Sequence, residues 1–258
     1  MNKMKGKYSY LLIMLIAFSV AFAGNKEENN GSATAAVTTS EMPAAATATI
    51  SGTVTFQGKV PKLGILKMDA EPVCAAKHKT PVRSEALVLG KGNTMGNIFI
   101  RIKSGLNGKK YPVPKETVVI DQNGCMYKPH VFGIRAGQTL KILNSDGILH
   151  NIHPLPKINK QFNLAMPKFK KSSRKKFMKV EETPFLIKCD VHPWMGAYAA
   201  VMGHPFFDVT GKDGIFKLTG LPPGTYEVEA WHEKLGTQTA TVTVTGGESK
   251  TVNFTFKR

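Results

Sequence analysis

The sequence predicts an all-β chain. Short runs of alternating apolar and polar residues, each bounded by Gly, Pro, Asn or Asp, recur from residue 50 to the C-terminus. Apolar residues at helical spacing are almost absent over any useful length. The part able to fold is about 210 residues long, too large for one small sandwich and suited to two modest β domains.

The N-terminus is read first, and set apart from the fold. Lys3, Lys5 and Lys7 precede the apolar run Leu11 to Phe18, and Ala21-Phe22-Ala23 stands before Gly24. This is the pattern of a cleaved secretory signal over residues 1–23, with an apolar core too short for a membrane span. It implies a periplasmic or secreted protein, and no Cys follows the apolar run to carry a lipid. Residues 24–47 are mostly Asn, Glu, Ser, Ala, Thr and Pro, with little to bury, and read as a flexible leader. No later stretch is apolar and long enough to cross a bilayer.

Strand signals then follow in order at residues 50–56, 97–102, 117–120, 138–144 and 185–188. Directly after the last of these comes Cys189-Asp190-Val191-His192-Pro193-Trp194-Met195, which sets a thiolate, an imidazole and a thioether at C-x2-H-x2-M spacing on one short turn. These are ligands that suit a copper ion stable as both Cu(I) and Cu(II). A second imidazole is missing from the turn, and His150 and His153 are the upstream candidates. Strand alternation puts those two on opposite faces, so only one points at a metal. Met195 is otherwise a gap-filling core residue beside Trp194, and Cys189 a buried thiol.

The run Tyr127-Lys128-Pro129 through Arg135-Ala136-Gly137-Gln138, then Asn144-Ser145-Asp146, His150-Asn151 and the C-x2-H-x2-M turn, resembles the cupredoxins, Greek-key β-sandwiches holding one blue copper ion. The resemblance covers roughly residues 116–202, and the short Cys-to-Met loop with its His-Asn-apolar-His partner is most similar to the amicyanin type. It implies one type 1 copper ion bound by His150, Cys189, His192 and Met195, with Asn151 tying the two ligand loops together and His153 left outside. On this reading His192 is the ligand nearest the surface, beside an apolar rim of Pro193 and Trp194, and electrons leave through its imidazole edge. The amicyanin likeness also points toward an amine-oxidising pathway such as methylamine utilization.

The C-terminal residues carry a second pattern. Residues 209–218, 220–228, 239–245 and 251–256 alternate, with Asp213-Gly214 suited to a tight hairpin turn and Leu221-Pro222-Pro223-Gly224 to a rigid bend. This resembles the carboxypeptidase regulatory-like, or transthyretin-like, β-sandwich. That family opens with strands of the form of residues 50–61 and 96–102, which here precede the cupredoxin run. The economical reading is nested: residues 48–110 and 205–258 form the regulatory-like sandwich, and residues 111–204 are the inserted cupredoxin. The alternative is serial, with a long cupredoxin over residues 48–204 followed by a separate C-terminal sandwich.

Formal charge is +17, or +14 without the three N-terminal lysines. Lys157, Lys160, Lys168, Lys170, Lys171, Arg174, Lys175, Lys176 and Lys179 crowd the segment between the two candidate ligand loops. The plain reading is a solvated loop. The sharper one is steering of an acidic redox partner, or of an anionic surface, toward the metal, with Lys168, Lys170, Lys171, Arg174, Lys175 and Lys176 as the docking set. An exported chain with no binding motif and no interleaved stacking aromatics is not read as a nucleic-acid binder. Cys74 and Cys125 are expected to form a disulfide, the alternative being a second metal site of Cys74 and His78 with Cys125 or His130. His204 and His232 lie beside aromatics in strand-rich contexts and read as structural.

The resulting expectation is a carrier of single electrons between redox proteins such as cytochromes or dehydrogenases, not an enzyme. A copper oxidase or reductase needs further copper, usually through paired H-x-H motifs, and a binuclear centre needs a second Cys in the ligand loop; the chain has neither. The second hypothesis is a copper-binding or copper-delivery module docked by the regulatory-like domain to a surface or partner. The absence of clustered Met repeats ranks it below the first.

Overall fold

The computed structural model describes residues 46–258. The signal sequence and nearly all of the leader lie outside the described residues. The strands run in order β1 (Ala48–Gln57), β2 (Val88–Leu89), β3 (Met95–Gly96), β4 (Phe99–Ser104), β5 (Val118–Gln122), β6 (Tyr127–Lys128), β7 (Val131–Arg135), β8 (Thr139–Asn144), β9 (His150–Pro154) and β10 (Leu164–Met166). They continue with β11 (Ser172–Lys176), β12 (Glu181–Lys188), β13 (Gly196–Met202), β14 (Phe207–Val209), β15 (Ile215–Leu221), β16 (Gly224–His232), β17 (Gly236–Val244), β18 (Ser249–Thr251) and β19 (Phe254–Lys257). One short helix, α1 (Pro72–Ala75), interrupts them. The chain is all-β.

Two pairs of facing sheets result. In the first pair, β1 lies between β15 and β18 and also pairs with β19, while the opposing sheet has the order β14-β4-β16-β17. Alternation in β1 sends Ile50, Val54 and Phe56 inward. They meet Ile100, Ile102, Phe216, Leu218, Val228 and Phe254 in one apolar core. The register Ile50↔Leu218 and Val54↔Phe254 joins the first strand directly to the last fifty residues.

The second pair of sheets has the orders β10-β9-β12-β13-β7 and β11-β8-β5-β6. Its core holds Ile120, Tyr127, Leu140, Ile142, Ile152, Phe177 and Ile187, together with Cys189 and Met195. The two cores meet at a seam of Phe99, Val131, Ala200 and Met202, against which Tyr198, Phe207 and Trp231 pack. Arg101 bridges this seam to Glu182 and also bonds Glu229, and His130 Nε2 lies 2.7 Å from Glu233.

The chain between β1 and β4 does not stay on the first sandwich. It runs out and back, with Leu66 N donating to Val82 O at 2.8 Å and Ser84 N to Gly64 O at 3.0 Å. Its far end buries Met68 and Cys74 in the second core, with Leu66 and Val82 alongside. Cys74 is disulfide-bonded to Cys125, 51 residues away in sequence.

One turn differs from its sequence reading. Asp213-Gly214 does not close a hairpin, because β14 pairs with β4 while β15 pairs with β1. The turn instead carries the chain from one sheet to the sheet facing it. Gly214 has φ +71°, and a Cβ there would fall 2.5 Å from Val54 O. Gly214→Ala is therefore expected to lower stability by about 1–3 kcal/mol in urea unfolding.

Candidate metal centre

Strand geometry brings the candidate ligands to one end of the second sandwich. β12 runs antiparallel to both β9 and β13, so the residue opening β9 and the loop joining β12 to β13 share an edge. His150 is that opening residue, and Cys189 to Met195 form that loop. Met195 N donates to His192 O at 2.9 Å and Cys189 N to Met195 O at 3.2 Å, which folds the seven residues into a tight turn.

Ligand atoms of His150, Cys189 and His192 lie within 4.8 Å of one another, and all three residues are buried. The Nδ1 atoms of the two imidazoles face each other at 2.9 Å, and Cys189 Sγ is 3.7 Å from His192 Nδ1. Met195 is buried in the same core. Two converging imidazole nitrogens, a thiol and a thioether make a donor set that fits copper in either oxidation state.

The surroundings hold His150 and the loop that carries the other donors. Asn151 Oδ1 accepts from Asp190 N at 2.7 Å, Val191 N at 3.3 Å and Cys189 Sγ at 3.2 Å, so one side chain beside His150 holds the opposite loop. Its Nδ2 donates to Asn163 Oδ1 and Asp190 Oδ2. The Tyr127 hydroxyl reaches from β6 to the carbonyls of Asn151 and Lys188, bracing both strands from below.

His150 Nε2 donates to Asp146 Oδ2 at 2.9 Å, four residues earlier. This leaves Nδ1 as the atom turned to the site, the arrangement in which a second-shell carboxylate orients a metal-binding imidazole. The Asp146 carboxylate also accepts from Gly124 N at 2.7 Å and Cys125 N at 2.8 Å and pairs with Lys77 at 3.1 Å. Burial opposes its charge, yet these four donors hold its carboxyl well below the ordinary range. Burial likewise pushes the Cys189 thiol up, but hydrogen bonds from His150 and from backbone amides more than reverse it, and the thiol is lowered. His192 is lowered by burial and by His150, whereas in His150 the bonds to Asp146 and Cys189 overcome burial and raise it.

His153 is turned away, as alternation requires, and its Nδ1 meets Asp190 Oδ2 at 2.8 Å. Cys74 and Cys125 are bonded to each other, so neither sulfur is open to a second metal site. His78 Nε2 instead contacts Gly124 O at 2.7 Å, and His130 serves the seam. The ring nitrogens of His204 and His232 accept backbone N–H bonds two or three residues on. The basic set lies on β11 and the turn before it: Lys168, Lys171, Arg174 and Lys176 are exposed, Lys170 and Lys175 partly so. Lys175 stands over the Phe162 ring at 5.2 Å.

His192 lies beneath the surface with the other ligand residues, none of which is more exposed than it. It is only 2 % exposed. Trp194, read as part of an apolar rim beside it, is partly buried against the core, with its ring 5.1 Å from that of His192, and donates Nε1–H to Cys125 O at 3.1 Å. The tip of the excursion between β1 and β4 settles at this end of the sandwich, where Lys77 pairs with Asp146 beside His150. The sequence analysis gave no role to Asp146, Asn163 or Tyr127, although Asp146 and Tyr127 stood in the cupredoxin-like run; the spacing of four from His150 was the signal for Asp146.

Removing the Asp146 charge strips an acceptor from four donors. Asp146→Asn is expected to destabilise the metal-free protein by about 1–3 kcal/mol. Because the folded carboxyl is depressed, its contribution is complete above the ordinary Asp range and is lost as pH falls through the folded value. The gap between variant and wild type should thus be full at pH 6 and shrink below about pH 4, read by urea titration at each pH.

Residues 199–257 match the family model of the Carboxypeptidase regulatory-like domain. No curated protein matches the chain. Among solved structures, a Cu(I) form of an amicyanin variant matches at 18 % identity and TM-score 0.30, over 40 % of this chain and 98 % of that one. The purple cupredoxin of Nitrosopumilus maritimus matches at 24 % identity and TM-score 0.28, over 33 % of this chain and 99 % of that one. The Cu-containing nitrite reductase of Thermus scotoductus SA-01 matches at 22 % identity and TM-score 0.29, over 38 % of this chain but only 24 % of the reductase. The chain thus carries a carboxypeptidase regulatory-like match at its C-terminal end and, preceding it, a His150, Cys189 and His192 cluster that with Met195 fits a blue copper site.

Proposed function

We propose that this is an exported type 1 copper protein that passes single electrons between redox partners, with His150, Cys189, His192 and Met195 holding one copper ion. The observation that carries the reading is the convergence of two imidazole Nδ1 atoms and one thiol in a buried pocket, with His150 oriented by Asp146 and Cys189 by Asn151. When bound, copper supplies a one-electron couple. The chain's own residues supply rigidity: Asn151 fixes the loop spacing, Asp146 fixes the His150 ring, and the apolar core excludes water. Ligands that need not move on redox change favour fast transfer over substrate turnover, which makes a carrier the better reading than an enzyme.

The nested arrangement is part of this proposal, with the cupredoxin at residues 111–204 and the regulatory-like sandwich at residues 48–110 and 205–258. It is supported by the pairing of β1 with β15, β18 and β19 and of β4 with β14 and β16. Export rests on the signal pattern of residues 1–23. Among the described residues no helix is long and apolar enough to cross a membrane.

The partner is read as an acidic redox protein, a cytochrome or dehydrogenase, drawn to Lys168, Lys170, Lys171, Arg174, Lys175 and Lys176. Residues 157–180 hold nine basic residues and no acidic one, so the strip carries a strong excess of positive charge.

Two experiments test this. Copper-loaded protein is expected to show an intense visible thiolate-to-copper band that Cys189→Ser abolishes and His153→Ala leaves in place; a colourless copper complex with a reactive Cys189 refutes it. Reversing the charges of Lys170, Lys171, Lys175 and Lys176 is expected to slow reduction by an acidic partner about tenfold or more at low ionic strength, and to matter far less at high salt. An unchanged rate at low salt removes the docking assignment and leaves the copper assignment standing.

A further inference from the structure

The excursion between β1 and β4 has no part in the proposed carrier, yet it ends at the metal centre. Its tip buries Met68 and Cys74 in the core that contains Cys189 and Met195. Three polar contacts hold it there: Lys77 Nζ to the Asp146 carboxylate at 3.1 Å, Lys77 Nζ to Asp146 O at 3.2 Å, and His78 Nε2 with Gly124 O at 2.7 Å. The covalent one is the Cys74–Cys125 disulfide. Cys125 Sγ lies within 4.8 Å of a His150 ring nitrogen and an Asp146 oxygen, and Cys125 O takes the Trp194 N–H. Beneath the tip all three ligand residues of the cluster are buried, His150 completely.

We infer that residues 66–82 are a lid on the metal centre and that the Cys74–Cys125 disulfide is its lock: as a dithiol the lid opens and Cys189 is accessible, and once oxidised it seals the site. The inference rests on the proposed copper reading for what the lid retains, but not for its action on Cys189.

The geometry favours a lock set after loading. Both sulfurs are fully buried in the closed form, so an external thiol reaches them only when the tip has already lifted. The noncovalent anchors are few, one ion pair, two hydrogen bonds and a small apolar contact, and such a segment opens locally at low cost unless it is crosslinked. Closure is a thiol–disulfide exchange with an exported disulfide donor. The Cys74 and Cys125 thiols lose two electrons and two protons, the donor's disulfide gains them, and the S–S bond forms as the donor's breaks. The order of events is then metal first, disulfide second.

The test uses the full chain, oxidised, beside Cys74→Ser/Cys125→Ser. In metal-free protein, alkylation of Cys189 by iodoacetamide, followed by mass spectrometry, is expected to be about tenfold or more faster in the double variant. In Cu(I)-loaded protein, transfer of copper to bicinchoninate should accelerate by a similar factor. If the double variant loses its near-UV circular dichroism, Met68→Ala/Lys77→Ala with the disulfide intact takes its place, and a smaller acceleration of alkylation, about threefold, is expected. Rates within twofold of wild type in the folded variant overturn the lid. Disulfide-dependent alkylation in a chain that takes up no copper keeps the lid and refutes the copper reading, whereas a normal visible band with insensitive rates does the opposite.

Discussion

The two halves of the site are 39 residues apart in sequence, and a single amide side chain spans them. Asn151 Oδ1 takes the backbone N–H groups of Asp190 and Val191 and the Cys189 thiol, while the residue before it presents His150. An amide oxygen serves because it accepts several bonds without bringing a charge into the core. Without it the amides of Asp190 and Val191 lose their acceptor, and the link that ties the ligand loop to the strand of His150 is gone. Tyr127 extends the constraint to the other sheet, so the site is referenced to both layers of the sandwich.

Charge is distributed in opposite ways inside and outside. The Asp146 carboxylate is met by two backbone amides, an imidazole and an ammonium, and its side chain is almost inaccessible. The seam follows the same rule, with Arg101 shared between Glu182 and Glu229. Outside, the strip from Lys157 to Lys179 contains nine basic residues and no acidic one. Internal pairing keeps the fold from depending on ionic strength, while the basic exterior gives long-range association its salt dependence.

Much of this was legible beforehand. The β architecture followed from alternation, because a strand with one buried face writes its orientation into every second residue, as β1 does with Ile50, Val54 and Phe56. The ligand turn was legible because Cys189, His192 and Met195 are local, and the spacing alone limits how they can converge. His150 needed the resemblance, since alternation separated it from His153 without saying which faced inward. What could not be read was anything dependent on a loop's path. Residues 58–87 have little periodicity, so their path onto the second core was not legible beyond the one tie that the expected Cys74–Cys125 disulfide implied. The Asp213-Gly214 turn failed for a related reason: the dipeptide specifies a tight reversal, but not whether the strands it joins belong to one sheet or two.

Ser104, where the chain departs for the second sandwich, and Phe207, where it returns, end and begin strands that are hydrogen-bonded neighbours in one sheet. On the proposed nested reading, an insert whose two ends meet its host one strand apart adds little loop-closure entropy and leaves the host's ladder unbroken. Recombination at that point then replaces the insert with a different module and spares the host's apolar interior, provided the newcomer offers a face to Phe207 and Trp231. Architecture of this kind is a socket for evolutionary exchange, and the tip carrying Cys74, which belongs to the host, would then have to find a new guest to clasp.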